Sequence, residues 1–182
     1  AALFSGGKDS TFAAWKAISR GDRIVSLVSF VSENPDSYMF HHPNIEWTRL
    51  QAEAMGLPLL LVRTAGRKEE ELEDIEKALS GLQGIEGVAV GALASEYQRS
   101  RIAGICQKLG LEVFAPAWGR DTAGYWEELL GAGFRVIITK VACEGLGKEW
   151  LGREITRKNF PELKRLSEKF RFHLGFEGGE AE

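Results

Sequence analysis

Residues 3–15, LFSGGKDSTFAAW, decide the fold class and point to a ligand. A short apolar run leads into two glycines, a lysine and an aspartate, and then into residues with helical spacing. Two glycines directly after a strand let the backbone turn tightly and come close to a ligand. Exposed amide N–H groups and the positive end of the following helix then favour an anion. The stretch therefore predicts a phosphate-binding loop rather than an ordinary strand-to-helix turn.

The side chains of this loop refine the prediction. Ser5, Ser10 and Thr11 offer hydroxyl donors, and Lys8 offers a mobile positive charge. Asp9 is unfavourable beside phosphates unless a cation bridges them, so it points to Mg²⁺. A Walker P-loop is excluded, because that motif would need Gly at position 2 and Ser or Thr at position 9, where this chain has Ala and Asp.

Apolar runs alternate with helical patterns along most of the chain. The strand-like runs are 1–4, 23–31, 57–64, 87–93, 111–117 and 134–142, and the helical patterns between them include 8–20, 45–55 and 67–79. Continuous apolar strands separated by helices favour an α/β fold with a mostly parallel sheet and helices on both faces. The acidic run Glu69–Glu73 is interpreted as a solvated helix face. From about residue 143 the pattern becomes loop-like and then helical, which predicts a C-terminal subregion.

The overall composition narrows the class of protein. The chain has 182 residues, a net charge of -3 and a sequence pI near 5.8, which disfavours nucleic acid as a partner. Cys106 and Cys143 are its two cysteines, too few for a disulfide framework or a structural zinc site. So few cysteines fit a reducing, cytoplasmic setting. No apolar run reaches the roughly 20 residues needed to span a bilayer, so no membrane partner is expected. The missing initial Met suggests that a few N-terminal residues precede this sequence.

A second anion site is expected at the start of the helix that follows strand 87–93. Ser95 and Gln98 form a capping box that starts this helix. Arg99 and Arg101 lie near its N-terminus, where each positive charge opposes the helix dipole by about 0.3–1 kcal/mol. An anionic ligand would relieve that conflict, and ligands of parallel sheets bind at the carboxyl ends of strands. The alternative is an exposed basic turn.

The motif SGGKDS resembles the PP-loop of the N-type ATP pyrophosphatases, which have an adenine-nucleotide α-hydrolase-like (Rossmann-like) fold. The resemblance implies that ATP is cleaved between its α and β phosphates. The implied phosphate-binding residues are Ser5, Gly6, Gly7, Lys8, Asp9 and Ser10, with Asp9 as the Mg²⁺ ligand. Lys8, Asp9, Arg99 and Arg101 become the candidate catalytic residues. The implied neighbours of the adenine are Ser29, Phe30 and His41.

Five further stretches resemble the diphthine–ammonia ligase family over nearly the whole chain. They are SYMFHHPN (37–44), GALASEYQRSRI (91–102), PAWGRD (116–121), GLGKEWLGREI (145–155) and GFEGGE (175–180). The resemblance implies that the diphthine carboxylate of translation elongation factor 2 is adenylated and then converted by ammonium to the amide of diphthamide. Residues 1–142 would form the ATP-binding domain, and residues 143–182 a substrate-binding subregion packed on it.

The residues that would contact this protein substrate come from the same stretches. They are Tyr97, Gln98, Trp118, Trp150, Glu177, Gly178, Gly179 and Glu180. Diphthine carries a trimethylammonium group, a cation that aromatic faces and carboxylates recognise well. We therefore hypothesise that Trp118 or Trp150, with Glu177 or Glu180, contacts that group. The alternatives are core aromatic residues and a flexible acidic tail.

Three alternative functions were compared with this reading of the loop. A tRNA-modifying PP-loop enzyme would need cysteine pairs or added tRNA-binding regions, and neither is evident. A glutamine-dependent amidotransferase would need a glutaminase domain and a cysteine nucleophile. A non-catalytic adenine-nucleotide sensor stays open, although Lys8 and Asp9 speak against it. The group that deprotonates ammonium, with Glu177 and Glu180 as candidates, and the oligomeric state, with a homodimer as one hypothesis, also stay open.

Overall fold

A computed structural model of the chain describes residues 1–34, 45–67, 70–92 and 96–182, except for the side chains of Tyr97 and Gln98. Its strands and α-helices are, in chain order, β1 (Ala2–Leu3), α1 (Lys8–Ser19), β2 (Leu27–Ser32), α2 (Thr48–Met55), β3 (Leu59–Thr64), α3 (Glu70–Ser80), β4 (Gly87–Ala89), α4 (Glu96–Leu109), β5 (Glu112–Phe114), α5 (Thr122–Gly131), β6 (Val136–Ile137), β7 (Glu154–Ile155) and α6 (Phe160–Phe170). Two short 3-10 helices, Ile45–Trp47 and Lys148–Trp150, accompany them. The chain divides into two compact units, Ala1–Trp118 and Gly119–Glu182. No helix in the described part of the chain is long and apolar enough to cross a membrane.

The first unit is built on a five-stranded sheet in which every pairing is parallel. The strand order is β3-β2-β1-β4-β5, so β1 lies in the centre. Ala2 lies opposite Leu27 of β2 on one side and opposite Ala89 of β4 on the other. Each parallel connection needs a crossover, and in the described residues an α-helix lies between each pair of successive strands of this unit. The predicted α/β fold with a mostly parallel sheet is confirmed.

Two apolar clusters show that helices cover both faces of the sheet. Consecutive residues of a strand point to opposite faces, so Leu27 and Val28 belong to different clusters. One cluster joins the sheet to α1 and α2 through Ala13, Ala14, Ala17 and Ala52. The other joins it to α3 and α4 through Ile75, Ala78, Leu79, Ile102, Ile105 and Cys106. The alanines of α1 let that helix lie close to the sheet, and this fixes where the loop before it can go.

The interpretation of residues 69–73 as a solvated helix face is wrong for Glu71. Its side chain is buried, with 1% of the residue exposed. Helical spacing explains the burial, because Glu71, Ile75, Ala78 and Leu79 recur every three or four residues and share one face of α3. Three apolar residues of that face pack in the core, and the carboxylate is buried with them.

The second unit has its own core around an aromatic residue of α5. Asp121 caps this helix by accepting a hydrogen bond from the Gly124 N–H at 2.8 Å. Trp126 is fully buried, and its indole N–H donates to the Leu174 carbonyl at 2.9 Å. The Trp126 ring also lies 5.7 Å from the ring of Phe160 at the start of α6. Residues of α5, α6 and the C-terminal loop therefore share one core.

The strand predicted over 134–142 differs from the observed structure. Only Val136–Ile137 forms a strand, and it pairs antiparallel with Glu154–Ile155, in a stretch that the sequence predicted to be a loop. The helix Thr122–Gly131 lies between the apolar runs 111–117 and 134–142, where the sequence analysis gave no helix bounds. A short apolar run does not reveal its partner strand, because the pairing depends on residues far away in the chain. The substrate-binding role predicted for residues 143–182 stays a prediction.

A matched pair of leucine substitutions tests the described core. Leu79→Ala, which removes a side chain that is 1% exposed in α3, should lower the free energy of unfolding by about 2–5 kcal/mol through lost burial and a residual cavity. Leu50→Ala in α2, where the residue is 56% exposed, should change it by less than about 0.5 kcal/mol. Urea unfolding measures both. Equal effects would contradict the assignment of the two helix faces.

Candidate active site

The phosphate-loop candidate lies where the strand order of the sheet reverses. From β1 the chain builds β2 and β3 on one side, and then returns to build β4 and β5 on the other side. Loops that leave the strands on either side of such a switch point diverge, which opens a crevice at the carboxyl ends of the strands. The residues between Leu3 and Lys8 leave β1 at this point and lead directly into α1. The predicted loop therefore occupies the position where ligands of this architecture bind.

The backbone of the loop presents the N-terminus of α1. The Phe4 N–H still donates to the Val28 carbonyl at 2.8 Å, so strand pairing continues to the edge of the loop. Gly6 then adopts a φ of 78°, a left-handed conformation that favours glycine. The helix begins after Gly7, and in the described structure no side chain caps this helix end. Uncapped N–H groups of a first helical turn are suitable donors for an anion.

The hydroxyl groups of the loop bond to the loop itself. The Ser10 hydroxyl donates to the Gly7 carbonyl at 3.1 Å and accepts from the Ser5 N–H at 3.2 Å. The Thr11 hydroxyl donates to the same Gly7 carbonyl at 2.8 Å. These bonds tie the turn to the first helical turn and hold its shape. The phosphate-donor roles expected for Ser5 and Ser10 stay predictions.

Lys8 and Asp9 form an ion pair at the helix start. The Lys8 ammonium lies 3.0 and 2.8 Å from the two carboxylate oxygens of Asp9, and the two side chains are 10% and 27% exposed. No group of three or more His, Cys, Asp or Glu side chains that could hold a metal occurs among residues 1–34, 45–67, 70–92 and 96–182. Mg²⁺ commonly binds through one or two carboxylates together with substrate phosphates. The Asp9 carboxylate beside the predicted phosphate loop therefore fits Mg²⁺.

Gly91 brings the end of β4 against the first turn of α1, a contact that the sequence analysis missed. A Cβ atom at this position would lie 2.5 Å from the Asp9 carbonyl carbon and 2.6 Å from the Ser10 nitrogen. Those distances are too short for any side chain, and the obstacle is backbone that cannot rotate away. The absence of a side chain at Gly91 therefore lets the backbone at the end of β4 lie against the first turn of α1, at the switch point.

Helix α2 approaches the loop from another direction, and this contact was missed as well. The Gln51 side-chain N–H donates to the Gly6 carbonyl at 2.9 Å. Thr48, one turn earlier, is fully buried and also faces Gly6. A signal was present in the sequence, because Thr48, Gln51 and Ala52 have the spacing of a buried helix face, and two of the three are polar.

The residues expected near the adenine are placed in part. Ser29 and Phe30 are buried in β2, and the Ser29 hydroxyl donates to the Phe4 carbonyl at 2.5 Å. Phe30 packs in the core on the α3 and α4 side of the sheet. Both side chains therefore support the sheet, and contact with adenine stays a prediction. His41 lies outside the described residues.

The structure brings together two residues that follow neighbouring strands. The guanidinium of Arg99 in α4 lies 4.7 Å from the ring centroid of Trp118, beyond β5, and 3.5 Å from the Glu96 carboxylate. The Arg99 side chain is 45% exposed, whereas Arg101 is partly buried. A cation held over an indole face has a defined position. Ser95 and the side chains of Tyr97 and Gln98 lie outside the description.

The C-terminal candidates form an ordered loop within the second unit. The Glu180 carboxylate accepts hydrogen bonds from the His173 N–H at 3.0 Å and the Gly178 N–H at 2.8 Å. Gly179 has a φ of 79°, and Glu177 is partly exposed. The Glu180 carbonyl accepts from the Ala142 N–H at 2.8 Å. The carboxylate of Glu180 therefore organises the GFEGGE turn.

Trp150 is buried, whereas Trp118 is partly exposed. The Trp150 residue is 1% exposed, and the Arg153 guanidinium lies 4.1 Å from its ring centroid. This placement makes Trp150 part of the core of the second unit. Trp118 is the better placed of the two tryptophans for contact with a ligand, and that role stays a prediction.

The two cysteines are poor nucleophiles in their surroundings. Burial raises the pKa of the fully buried Cys106 thiol. Burial, and secondly the negative charge of Glu180, raise the pKa of the Cys143 thiol. Both shifts disfavour the thiolate, which argues against a cysteine-dependent glutaminase reaction.

Comparison with known proteins places this chain in a family. The family model described as diphthamide synthase N-terminal domain matches residues 1–113, and the model of the diphthamide synthase C-terminal domain matches residues 121–182. Proteins named diphthine–ammonia ligase from Mus musculus and Danio rerio are 34% and 35% identical to the chain; they cover 100% and 99% of it, and the chain covers 76% and 78% of them. The Homo sapiens protein of that name is 33% identical, covers 100% of the chain and is itself covered to 76%. The chain belongs to the diphthamide synthase family.

One solved structure has a weaker likeness. The crystal structure of a predicted subunit of tRNA methyltransferase from Methanocaldococcus jannaschii matches with a TM-score of 0.48 and 12% identity, over 95% of this chain and 89% of that chain. A likeness of this size carries no argument about function.

A glycine pair tests the contact between β4 and α1. Gly91→Ala would push the end of β4 away from Asp9 and Ser10, and should cost about 1–3 kcal/mol of unfolding free energy as an overpacked contact. Gly104→Ala in α4, where a Cβ would meet no atom within 4 Å, should instead stabilise by about 0.5–1 kcal/mol. Urea unfolding measures the two stabilities. The affinity for ATP measures whether the substitution also disturbs the loop before α1. A Gly91→Ala protein with unchanged stability and ATP affinity would contradict the packing described.

Thiol labelling tests the assigned cysteine environments. In the folded protein iodoacetamide should modify Cys143, which is partly exposed, and leave the fully buried Cys106 unmodified. Because the pKa of the Cys143 thiol is raised, its labelling rate should keep rising with pH beyond the ordinary thiol range. Mass spectrometry of the peptides identifies the site, and Cys143→Ser is the control. Labelling of Cys106 at the same rate would contradict its burial.

Proposed function

We propose that this protein is an ATP-dependent amide ligase that converts the diphthine of translation elongation factor 2 to diphthamide. Its substrates would be ATP, ammonium and the diphthine-bearing factor, and its other products AMP and pyrophosphate. The observation that carries the proposal is the SGGKDS loop at the sheet's switch point, in a chain of the diphthamide synthase family. The names of the relatives, diphthine–ammonia ligase, support the same activity.

The loop is suited to hold the outer phosphates of ATP. The uncapped N-terminus of α1 supplies backbone donors, and Lys8 supplies a positive charge that now faces Asp9. On nucleotide binding, Lys8 would turn to the phosphates and Asp9 would become available to Mg²⁺. When bound there, Mg²⁺ would neutralise charge on the phosphates. Donors fixed before the reaction stabilise the leaving pyrophosphate without reorganisation.

The remaining steps concern the α-phosphate. With the outer phosphates held, a diphthine carboxylate oxygen would attack the α-phosphorus as the bond to the β-phosphate breaks, giving an acyl adenylate and pyrophosphate. Ammonia, formed when ammonium loses a proton, would then attack the acyl carbon; AMP would leave with the electrons of its bond, and the nitrogen would lose a second proton to give the neutral amide. Arg99, which is 45% exposed and stacked on Trp118, is the candidate to offset the negative charge near the α-phosphate. Trp118, which is partly exposed, is the candidate to hold the trimethylammonium group.

The reconstituted reaction is the direct test of this activity. The protein is incubated with ATP, ammonium and diphthine-bearing elongation factor 2, and the factor is weighed for replacement of the acid by the amide. AMP and pyrophosphate should appear only when all three substrates are present. ADP and phosphate would mean that a different bond is cleaved. Nucleotide binding without turnover would favour the non-catalytic sensor, and modification of tRNA would favour the rival PP-loop enzyme.

A lysine pair tests the phosphate-binding role of the loop. Lys8→Met removes the positive charge at the start of α1, and should lower kcat by about 10²–10³, the usual loss when one preorganised charge-stabilising donor is removed. Lys77→Met, on an exposed position near the end of α3, should leave kcat unchanged. The rate of pyrophosphate release measures both. A Lys8→Met enzyme with wild-type kcat would remove Lys8 from the mechanism.

A further inference from the structure

We infer that Gln51 is a positioning residue that fixes the orientation of the Gly6–Gly7 peptide and thereby aims a backbone donor at the phosphates of the nucleotide. The inference rests on the proposed function of the loop and adds a residue from α2 to it. Gln51 lies 45 residues away from Gly6 in the chain, and its side-chain N–H donates to the Gly6 carbonyl at 2.9 Å. The Gly6 carbonyl can only accept a hydrogen bond, so the nitrogen end of the Gln51 side-chain amide must face it.

The geometry of the peptide bond connects this carbonyl to the ligand. In a trans peptide the carbonyl of one residue and the N–H of the next point in opposite directions. When Gln51 holds the Gly6 carbonyl toward α2, the Gly7 N–H must point away from α2. A peptide turned the other way would direct a carbonyl oxygen where the phosphate oxygens are expected. One hydrogen bond therefore decides whether this peptide offers a donor or an acceptor.

The peptide needs such a restraint because glycine flanks it on both sides. Rotation of a peptide plane changes ψ of the residue before it and φ of the residue after it, and glycine tolerates nearly all values of both. Side chains that would otherwise limit this rotation are absent at Gly6 and Gly7. The hydroxyl bonds of Ser10 and Thr11 hold the Gly7 carbonyl, which belongs to the next peptide. The bond from Gln51 acts on the Gly6–Gly7 peptide.

The other end of the Gln51 amide also contacts Gly6. Its Oε1 atom would lie 2.2 Å from a Cβ placed on Gly6, so it occupies the space that a side chain there would fill. Within the described part of the chain, this oxygen is buried without a hydrogen-bond partner. A buried acceptor without a partner is unfavourable for folding. The Gln51 side chain thus bonds to the Gly6 carbonyl, although its own oxygen is buried without a hydrogen-bond partner in the described structure.

Calorimetry with inorganic tripolyphosphate, ATP and AMP tests the inference on the whole protein. Gln51→Leu and Gln51→Met keep a side chain of similar size without a donor, and should weaken binding of tripolyphosphate and ATP about tenfold, the effect of losing one oriented hydrogen bond. AMP, which lacks the outer phosphates, should bind within about twofold of wild type, and melting temperatures should change by only a few degrees. Gln107→Leu, an exposed glutamine of α4, is the matched control and should bind as wild type does.

A Gly6→Ala background separates a direct effect on the loop from a general one. The added methyl group takes the space of the Gln51 Oε1 atom, so the amide must leave Gly6. Gln51→Leu should then cause no further loss of tripolyphosphate affinity. A further tenfold loss in this background would overturn the inference, as would wild-type affinity in the Gln51→Leu and Gln51→Met proteins. Failure of the wild-type protein to bind tripolyphosphate or ATP would overturn the proposed function and the inference together.

Discussion

The parallel pairing of β1 with one strand on each side is the constraint from which the site follows. β1 contributes only Ala2–Leu3, and yet Ala2 lies opposite both Leu27 and Ala89. With β1 in the centre, the loop that leaves it must emerge at the point where the strand order reverses. At any other position in this strand order, the two glycines would leave the sheet away from the switch point. The chemistry of the loop thus depends first on a backbone pairing.

Local donors, rather than the field of the whole protein, make the site suitable for a polyanion. The chain carries a net charge of -3, so long-range electrostatics do not attract ATP. The loop instead presents the N-terminus of α1 beside Lys8, whose charge is balanced by Asp9 at 2.8 Å until a ligand competes for it. Short-range hydrogen bonds and a helix terminus depend little on the sign of the distant surface. Binding of a polyanion at this site would therefore depend on the orientation of a few peptide groups in the loop before α1.

The second unit has a different physical organisation. Its residues are joined by a buried aromatic core and by backbone hydrogen bonds between the C-terminal segment and residues 139–142. The isolated bridge between Val141 and Ala181 and the hydrogen bonds of the Glu180 carboxylate connect the GFEGGE turn to the rest of the second unit. The segment for which a flexible acidic tail was the alternative reading is thus hydrogen-bonded within its own unit. The aromatic rings considered for the trimethylammonium group already face cations, since Arg99 lies on Trp118 and Arg153 on Trp150.

The sequence by itself determined the features that depend on neighbours in the chain. The glycine turn after β1, the helices with a clear apolar face such as residues 70–80 and 96–109, and the parallel α/β class all follow from periodicities of a few residues. The family resemblance also came from contiguous motifs, because each motif can be recognised without knowing what it contacts.

Only the tertiary structure decided which distant residues meet at the loop. Gly91 looks like any glycine of the apolar run 87–93 until the structure shows that the backbone of Asp9 and Ser10 leaves no room there for a side chain. Gln51 is one polar residue in an amphipathic helix until its amide is found on Gly6. The antiparallel pair Val136–Ile137 and Glu154–Ile155, and the burial of Glu71, have the same origin. Contacts of this kind depend on how whole elements pack, and packing is set by the sum of many weak interactions between residues that no local pattern connects.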